Sequence, residues 1–343
     1  MDARWPMKFL RALPLALPLV LSVAAPPVLA ATGQERAQDA GRDLIGRRAP
    51  DLSLKTIDGQ TINLADDYGR RPVYIKFWAT WCVPCREQMP HFEHTFETRS
   101  GEVEVIAVST GFNETADDVR AYRRALGLKM PIVVDDGRFA RAFNLRVTPQ
   151  HVVIGRDGRV LYVGHLADDS LEHALQAALD EPASSGAAAG HVVARAAERD
   201  SVTDSIATLD GTPFALRDPA TSRRTVLMFI SPWCESYLAQ SRPARSQACR
   251  SAREQSERLV AGADARWIAV ASGLWANRDD LLEYRTEQHV TVPLSLDEDG
   301  ALFRRYHVAQ VPTFVILDGR GKVVARIDEV PSDLGARLAS AGP

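Results

Sequence analysis

The feature that most constrains this chain is that its body is written twice. Ile57-Asp58-Gly59-Gln60 corresponds to Leu209-Asp210-Gly211-Thr212, a turn between two short extended pieces. Residues 73–78 correspond to residues 225–230, each a short continuous apolar run of the kind that forms a buried strand. Trp81-Cys82 corresponds to Trp233-Cys234, Val105-Ile106-Ala107-Val108 to Trp267-Ile268-Ala269-Val270, and Val147-Thr148-Pro149 to Gln310-Val311-Pro312. Arg156-Asp157-Gly158-Arg159 and Asp318-Gly319-Arg320-Gly321 each mark a tight turn between strands. The spacing is 152 residues from Cys82 to Cys234, but 162 from Ile106 to Ile268 and 163 from Pro149 to Pro312. The second copy has therefore gained about ten residues just after its first cysteine.

Between the copies, residues 181–200 are rich in Ala, Ser and Gly without apolar periodicity, as linkers are. We therefore expect one domain over 46–180 and a second over 201–343, with a flexible segment over 31–45. Within each copy, strands alternate with helical patterns. Leu171, Ala174, Leu175, Ala178 and Leu179 make one apolar helix face, and Val119, Tyr122 and Leu126 another. Such alternation predicts an α/β fold with a central sheet covered by helices. The Asp-Gly hairpin near the end of each copy makes that sheet mixed.

The first thirty residues read as an address. Arg4, Lys8 and Arg11 precede an apolar run over 12–25 that is interrupted by Pro14 and Pro18. A membrane-spanning helix needs ~20 apolar residues, so this run fits a secretory signal peptide better. Val28-Leu29-Ala30 supplies the small residues of a cleavage site, which predicts export to the periplasm and a soluble product. The net charge of −3 gives no electrostatic reason to propose nucleic acid as a partner. With only 4 cysteines in 343 residues a disulfide scaffold is excluded, and cysteine spacing becomes the informative quantity.

The chemistry is expected at Phe77-Trp78-Ala79-Thr80-Trp81-Cys82-Val83-Pro84-Cys85, where a buried strand gives way to a helix. Residues three apart on a helix share a face and can form a disulfide. Unpaired N–H groups and the helix dipole at that end favour the thiolate of Cys82, making it the nucleophile and Cys85 the resolving thiol. Pro84 is tolerated because first-turn amides have no intrahelical partner. A disulfide closing so small a loop adds little stability, which argues against a purely structural role. His91 and His94 lie six and nine residues past Cys85, a spacing unlike that of paired zinc ligands. No metal or cofactor is therefore expected.

These residues resemble the thioredoxin-fold proteins of the TlpA/ResA type, exported thiol–disulfide oxidoreductases. The resemblance covers about 46–180 and again about 201–343. It implies two tandem thioredoxin-like folds, and a cis Pro149 packed beside the dithiol. It further implies that Trp81, Thr148 and Pro149 form the client-binding surface, with the backbone of Thr148 offered as an edge to an extended substrate segment. The implied partners are proteins with disulfides and a membrane electron donor of the DsbD or CcdA type. The Val83-Pro84 dipeptide resembles that of reducing members. Two positions depart from the pattern. Lys76 stands where many thioredoxins bury an acid; a cation there would favour the thiolate, unless its amine reaches solvent. Gln88, beside Glu87, stands where cytochrome-maturation members carry Glu. A different class, a thiol-based copper-binding metallochaperone, uses the same cysteines.

In the second copy Tyr237 stands where the second cysteine would be, and Met228 takes the place of Lys76. Cys234 and Cys249 could be two separate thiols, or Cys234 a peroxidatic cysteine. Ser231 fits the latter pattern but Leu227 does not. The third reading is a structural disulfide between them. Cys85-Arg86 and Cys249-Arg250 correspond at a spacing of 164, so Cys249 reads as the displaced partner of Cys85. The expected role of this domain is partner binding or regulation.

Overall fold

The structure is a computed structural model that describes residues 1, 32–182, 204–220, 223–262 and 265–340. The expected signal peptide and nearly all of the expected linker lie outside the described residues. Residues 31–45, expected to be a flexible segment, instead contain helix α1 (Gly33–Arg42). Thr32 and Glu35 form a reciprocal capping box at its start. Its small residues Ala37, Ala40 and Gly41 are buried. A Cβ added at Gly41 would lie 3.2 Å from the Val163 side chain, so small residues are what let this polar-looking segment dock.

A hairpin of β1 (Ser53–Lys55) and β2 (Thr61–Asn63) leads into β3 (Val73–Trp78), whose six residues are all buried. There follow α2 (Val83–Glu87), α3 (Met89–Arg99), β4 (Glu104–Ser109), α4 (Ala116–Leu126) and β5 (Ile132–Val134). Helix α5 (Arg138–Ala142), strands β6 (Gln150–Ile154) and β7 (Val160–Gly164), and α6 (Asp169–Asp180) complete the first unit. The strand order is β5-β4-β3-β6-β7. Strands β3, β4 and β5 run parallel, and β6 and β7 are antiparallel, so the sheet is mixed. Buried parallel strands need apolar residues on both faces, which is why Val73-Tyr74-Ile75 reads as an unbroken run. Leu126, placed on the apolar face of α4, lies exposed where that helix ends at the left-handed Gly127.

The second unit repeats this order. A hairpin of β8 (Ser205–Ala207) and β9 (Pro213–Ala215) precedes β10 (Arg224–Ile230), α7 (Cys234–Ser241) and α8 (Pro243–Leu259). Then come β11 (Ala265–Ser272), α9 (Arg278–Glu287), β12 (Leu294–Asp297) and α10 (Ala301–Arg305). Strands β13 (Thr313–Leu317) and β14 (Val323–Ile327) and helix α11 (Leu334–Ala339) close the unit. Its sheet order is β12-β11-β10-β13-β14, the same topology as the first. The added residues lengthen the helix pair, to 8 and 17 residues in α7 and α8 against 5 and 11 in α2 and α3. The Thr148–Pro149 and Val311–Pro312 bonds are both cis. Among the described residues, no helix is long and apolar enough to cross a membrane.

The two units meet through a pseudo-two-fold contact. Asn113 and Trp275 occupy equivalent places, 162 residues apart, at φ +56° and +66°. The Asn113 amide donates to Ala309 O at 2.8 Å, and the Trp275 amide donates to Arg146 O at 2.9 Å. Residue i contacts j as j contacts i, the pattern of an isologous interface. Apolar packing is continuous across it: Phe112 lies 5.5 Å from Trp275 and 6.1 Å from Phe303 between ring centres. An ion pair between Arg36 of α1 and Asp280 of α9 ties the units at a further point.

Candidate active site

Strand β3 delivers Trp81 and Cys82 to the start of α2. Cys82 is the N-cap, in extended backbone, and its Sγ accepts a hydrogen bond from the Cys85 amide at 3.3 Å. The two cysteines are joined as a disulfide with Cα atoms 5.2 Å apart. Pro84 sits in the first turn, where its missing N–H costs nothing. Gln88 separates α2 from α3, and Pro90 in the first turn of α3 prevents the two from running as one helix. The Cys82 Sγ lies 3.5 Å from Thr148 O, so the sulfur at the helix end is the one beside the cis-proline loop. Cys85 is fully buried. The fold therefore brings together Trp81, Cys82, Cys85, Thr148 and Pro149 from separate stretches of sequence.

Lys76 is fully buried, so its amine does not reach solvent. Its Nζ donates to Cys85 O at 3.4 Å and lies 5.5 Å from the centre of the Phe92 ring. Burial pulls its pKa down from 10.5 to about 7. It is thus a group near the dithiol whose charge changes around neutrality. Across the sheet, His151 pairs in register with Lys76. Its ring nitrogens contact Tyr74 Oη and Gln88 Oε1, each at 2.8 Å. Burial first, and the Lys76 charge second, hold His151 well below its ordinary value, so the ring is neutral.

Several contributors escaped the sequence reading. His165 Nδ1 lies 2.7 Å from Pro149 O, and Gln88 Nε2 donates to His165 O at 3.3 Å, bracing the cis-proline loop against the dithiol helix. The buried Glu114 carboxylate accepts from Thr80 N at 2.7 Å and from Thr80 and Ser109 hydroxyls, holding the loop that precedes Cys82. Burial raises its pKa despite those bonds and the nearby Arg242. Gly111, at φ +65°, makes the turn that offers Phe112 O to Trp81 Nε1 at 2.7 Å. An added Cβ there would stand 2.7 Å from Asp135 O.

The second domain also reaches this site. The Tyr237 hydroxyl accepts from the Val83 amide at 3.0 Å. Trp233 stacks on Trp81 at 5.2 Å, and Trp275 meets Trp81 edge-on at 5.1 Å while donating its indole N–H to Thr148 Oγ1 at 2.9 Å. Arg242 donates to Asn113 O and to Thr80 Oγ1 at 2.7 and 2.9 Å. A signal for Trp275 was present: it corresponds to Asn113 at the same spacing as Ile268 to Ile106. A cavity of about 610 Å³ between the domains is lined by Phe112, Leu274 and Phe303, but by neither cysteine of the first pair nor Pro149.

The second cysteine pair stands in different surroundings. Cys234 and Cys249 are joined, with Cα atoms 6.2 Å apart, and link α7 to α8. Arg253 grips the Glu235 carboxylate with two nitrogens at 2.7 and 2.9 Å, and Ser246 Oγ donates to Glu235 O at 2.5 Å. These contacts pin the same two helices. His91 Nε2 lies 3.1 Å from the Glu172 carboxylate.

The family model for AhpC/TSA proteins matches residues 45–163. The thioredoxin-like protein YneN of Bacillus subtilis strain 168 is 32% identical over 133 residues, which span 38% of this chain and 78% of that protein. The thiol-disulfide oxidoreductase ResA of Bacillus cereus is 30% identical over 136 residues, spanning 38% of this chain and 77% of the relative. A crystal structure of a thioredoxin-family thiol:disulfide interchange protein from Chlorobium tepidum matches at 28% identity. That match has a TM-score of 0.34 and covers 38% of this chain and 95% of the other. The family model falls on the unit that carries Cys82 and Cys85, and the second unit is assigned by its repeated sheet topology. With the helix-end dithiol, the cis-proline loop and a relative matched over most of its length, the chain belongs to the ResA-like thioredoxin-fold thiol–disulfide oxidoreductases.

Proposed function

We propose that the chain is exported to the periplasm and reduces disulfides of client proteins there. The observation that carries this reading is the position of Cys82 Sγ, at the start of a helix and 3.5 Å from Thr148 O. In the reduced chain the Cys82 thiolate attacks one sulfur of the client disulfide, forming a mixed disulfide and releasing the other client sulfur as a thiolate. The Cys85 thiolate then attacks Cys82 Sγ. The client leaves with two thiols and the chain is left with the Cys82–Cys85 disulfide, two electrons having passed to the client. A membrane donor of the DsbD or CcdA type restores the dithiol. Trp81, Thr148 and Pro149 form the client surface, and Lys76 tunes the thiolates. The domains run over 46–180 and 201–343, with α1 docked on the first. The second domain binds partners or regulates the first, and its Cys234–Cys249 bond serves as a brace between two helices.

The test is trapping. Cys85→Ser should accumulate client mixed disulfides through Cys82, and Cys82→Ser none through Cys85. Equal trapping by the two variants would refute the assignment. Tight, stoichiometric Cu(I) retention without catalytic disulfide reduction would mark the metallochaperone instead.

A further inference from the structure

Cys82 is only 1% exposed, although exchange requires contact with a partner's sulfur. Three residues that surround it, Trp81, Val83 and Thr148, are each contacted by an aromatic side chain of the second domain. Trp233 lies flat against Trp81, its ring 20° from parallel. Trp275 reaches Thr148, the residue before the cis proline, through its indole N–H. Tyr237 takes the Val83 amide, a first-turn donor of the dithiol helix. Tyr237 is the residue that replaced the second cysteine of its own domain. Val83 and Tyr237, bonded to each other, stay 40% and 41% exposed and form a rim at the first turn of the dithiol helix.

A second observation sets this apart from ordinary domain packing. Trp275 sits at φ +66°, a left-handed conformation that a bulky side chain adopts at a cost. Such residues persist where the surroundings over-determine them, and they cluster at functional sites. Here the conformation is fixed by the Trp275 amide on Arg146 O, and it directs the indole onto Thr148. Its counterpart Asn113 uses the same geometry to place its Oδ1 on the Val311 amide, the residue before the other cis proline, at 2.9 Å. In each domain, the residue before the cis proline is hydrogen-bonded by a side chain of the other.

We propose that Trp233, Tyr237 and Trp275 are specificity determinants of the Cys82–Cys85 dithiol. They occupy the groove in which an extended polypeptide would pair. They thereby restrict exchange to client disulfides that project past the Val83–Tyr237 rim at the tip of a protruding loop, for which a small disulfide is the unhindered stand-in, and exclude those within an extended segment. This rests on the reductase reading and names the substrate class of that site.

The experiment uses the full chain, reduced, and two probes with an identical thionitrobenzoate leaving group. One is its mixed disulfide with cysteamine, and the other its mixed disulfide with a cysteine at the centre of a ten-residue unstructured peptide. The wild type should react at least tenfold faster with the small probe than with the peptide. Trp275→Ala and Tyr237→Ala should each raise the ratio of peptide to cysteamine rate about tenfold. Tyr237→Phe removes only the hydroxyl on Val83 and keeps the ring, so it remains informative if a larger truncation fails to fold. It should shift the ratio of the two rates in the same direction by about threefold. An unchanged or lowered ratio of peptide to small-probe rate in the folded variants overturns the proposal, including where both rates rise by the same factor. Reaction of the wild type with neither probe would instead sink the dithiol reading itself, and this inference with it.

Discussion

Cys82 and Cys234 occupy the same place in a duplicated unit, each following a tryptophan at the end of a buried strand, yet they stand in different chemistry. Cys82 caps a five-residue helix, bonds a cysteine three positions away, and lies against the carbonyl before a cis proline. Cys234 bonds a cysteine 15 positions away on the next helix, within a set of contacts that fasten those helices together. The difference follows from where the second sulfur falls. At three residues the bond constrains almost nothing in the unfolded chain, so its presence makes sense as chemistry. At fifteen, it closes a loop whose ordering stabilises the fold by ~3 kcal/mol in the entropic model. On the proposed reading, one duplicated position is a reaction centre in one copy and a brace in the other.

The strongest way to break this contrast is to remove each pair in turn. Cys82→Ser should abolish disulfide exchange while leaving thermal stability nearly unchanged. The double variant Cys234→Ser/Cys249→Ser should do the reverse, losing about 3 kcal/mol in a denaturant titration and retaining exchange with a small disulfide. Loss of exchange in the double variant at temperatures where it remains folded would show that the second pair takes part in electron transfer.

The two copies also differ at the strand position before the cysteine, Lys76 in one and Met228 in the other. The folded chain releases the Lys76 proton near pH 7, whereas the unfolded chain holds it up to about 10.5. The unfolded state therefore binds more protons between those values, and stability rises with pH across that window. Lys76→Met, which copies the second domain, should stabilise the protein by about 2 kcal/mol at pH 6. That lies within the ~5 kcal/mol that the full displacement corresponds to. The gain should shrink towards pH 10. Parallel stability curves for the two proteins between pH 6 and 10 would show that the buried amine is not the source.

The smallest expected effect sharpens the interface comparison. Asn113→Ala leaves the buried Val311 amide without its acceptor and should cost about 1–2 kcal/mol. Its readout is the second domain's chemical shifts around Val311, with the first domain's own strands unaffected. Perturbation confined to residues near Asn113 would mean that the two domains do not lean on each other there.

Much of the fold was legible from residues alone because its signals are local. Continuous apolar runs mark strands that are buried on both faces, the Asp-Gly turns mark hairpins, and the repeated order of both marks a duplication. The Cys-Val-Pro-Cys segment was legible for the same reason, since the helix-end effect acts over one turn. The α1 helix was not, because its sequence is polar and its order comes from small residues fitting against β7. The buried state of Lys76 was not, because snorkelling or burial is decided by what surrounds the side-chain tip.

By itself, then, the sequence determined that there are two units of one α/β type, which of them carries the close cysteine pair, and that a distant cysteine was available to the other. Tertiary structure alone decided that the units face each other across their cis-proline loops. It also decided that Tyr237, Trp233 and Trp275 meet Val83, Trp81 and Thr148 beside Cys82, and that Asn113 meets the Val311 amide. Helix and strand propensities act between residues a few positions apart, and their pattern survives in any single copy. A hydroxyl that meets an amide 154 residues away depends on how two finished surfaces dock, and nothing local in either segment encodes that meeting.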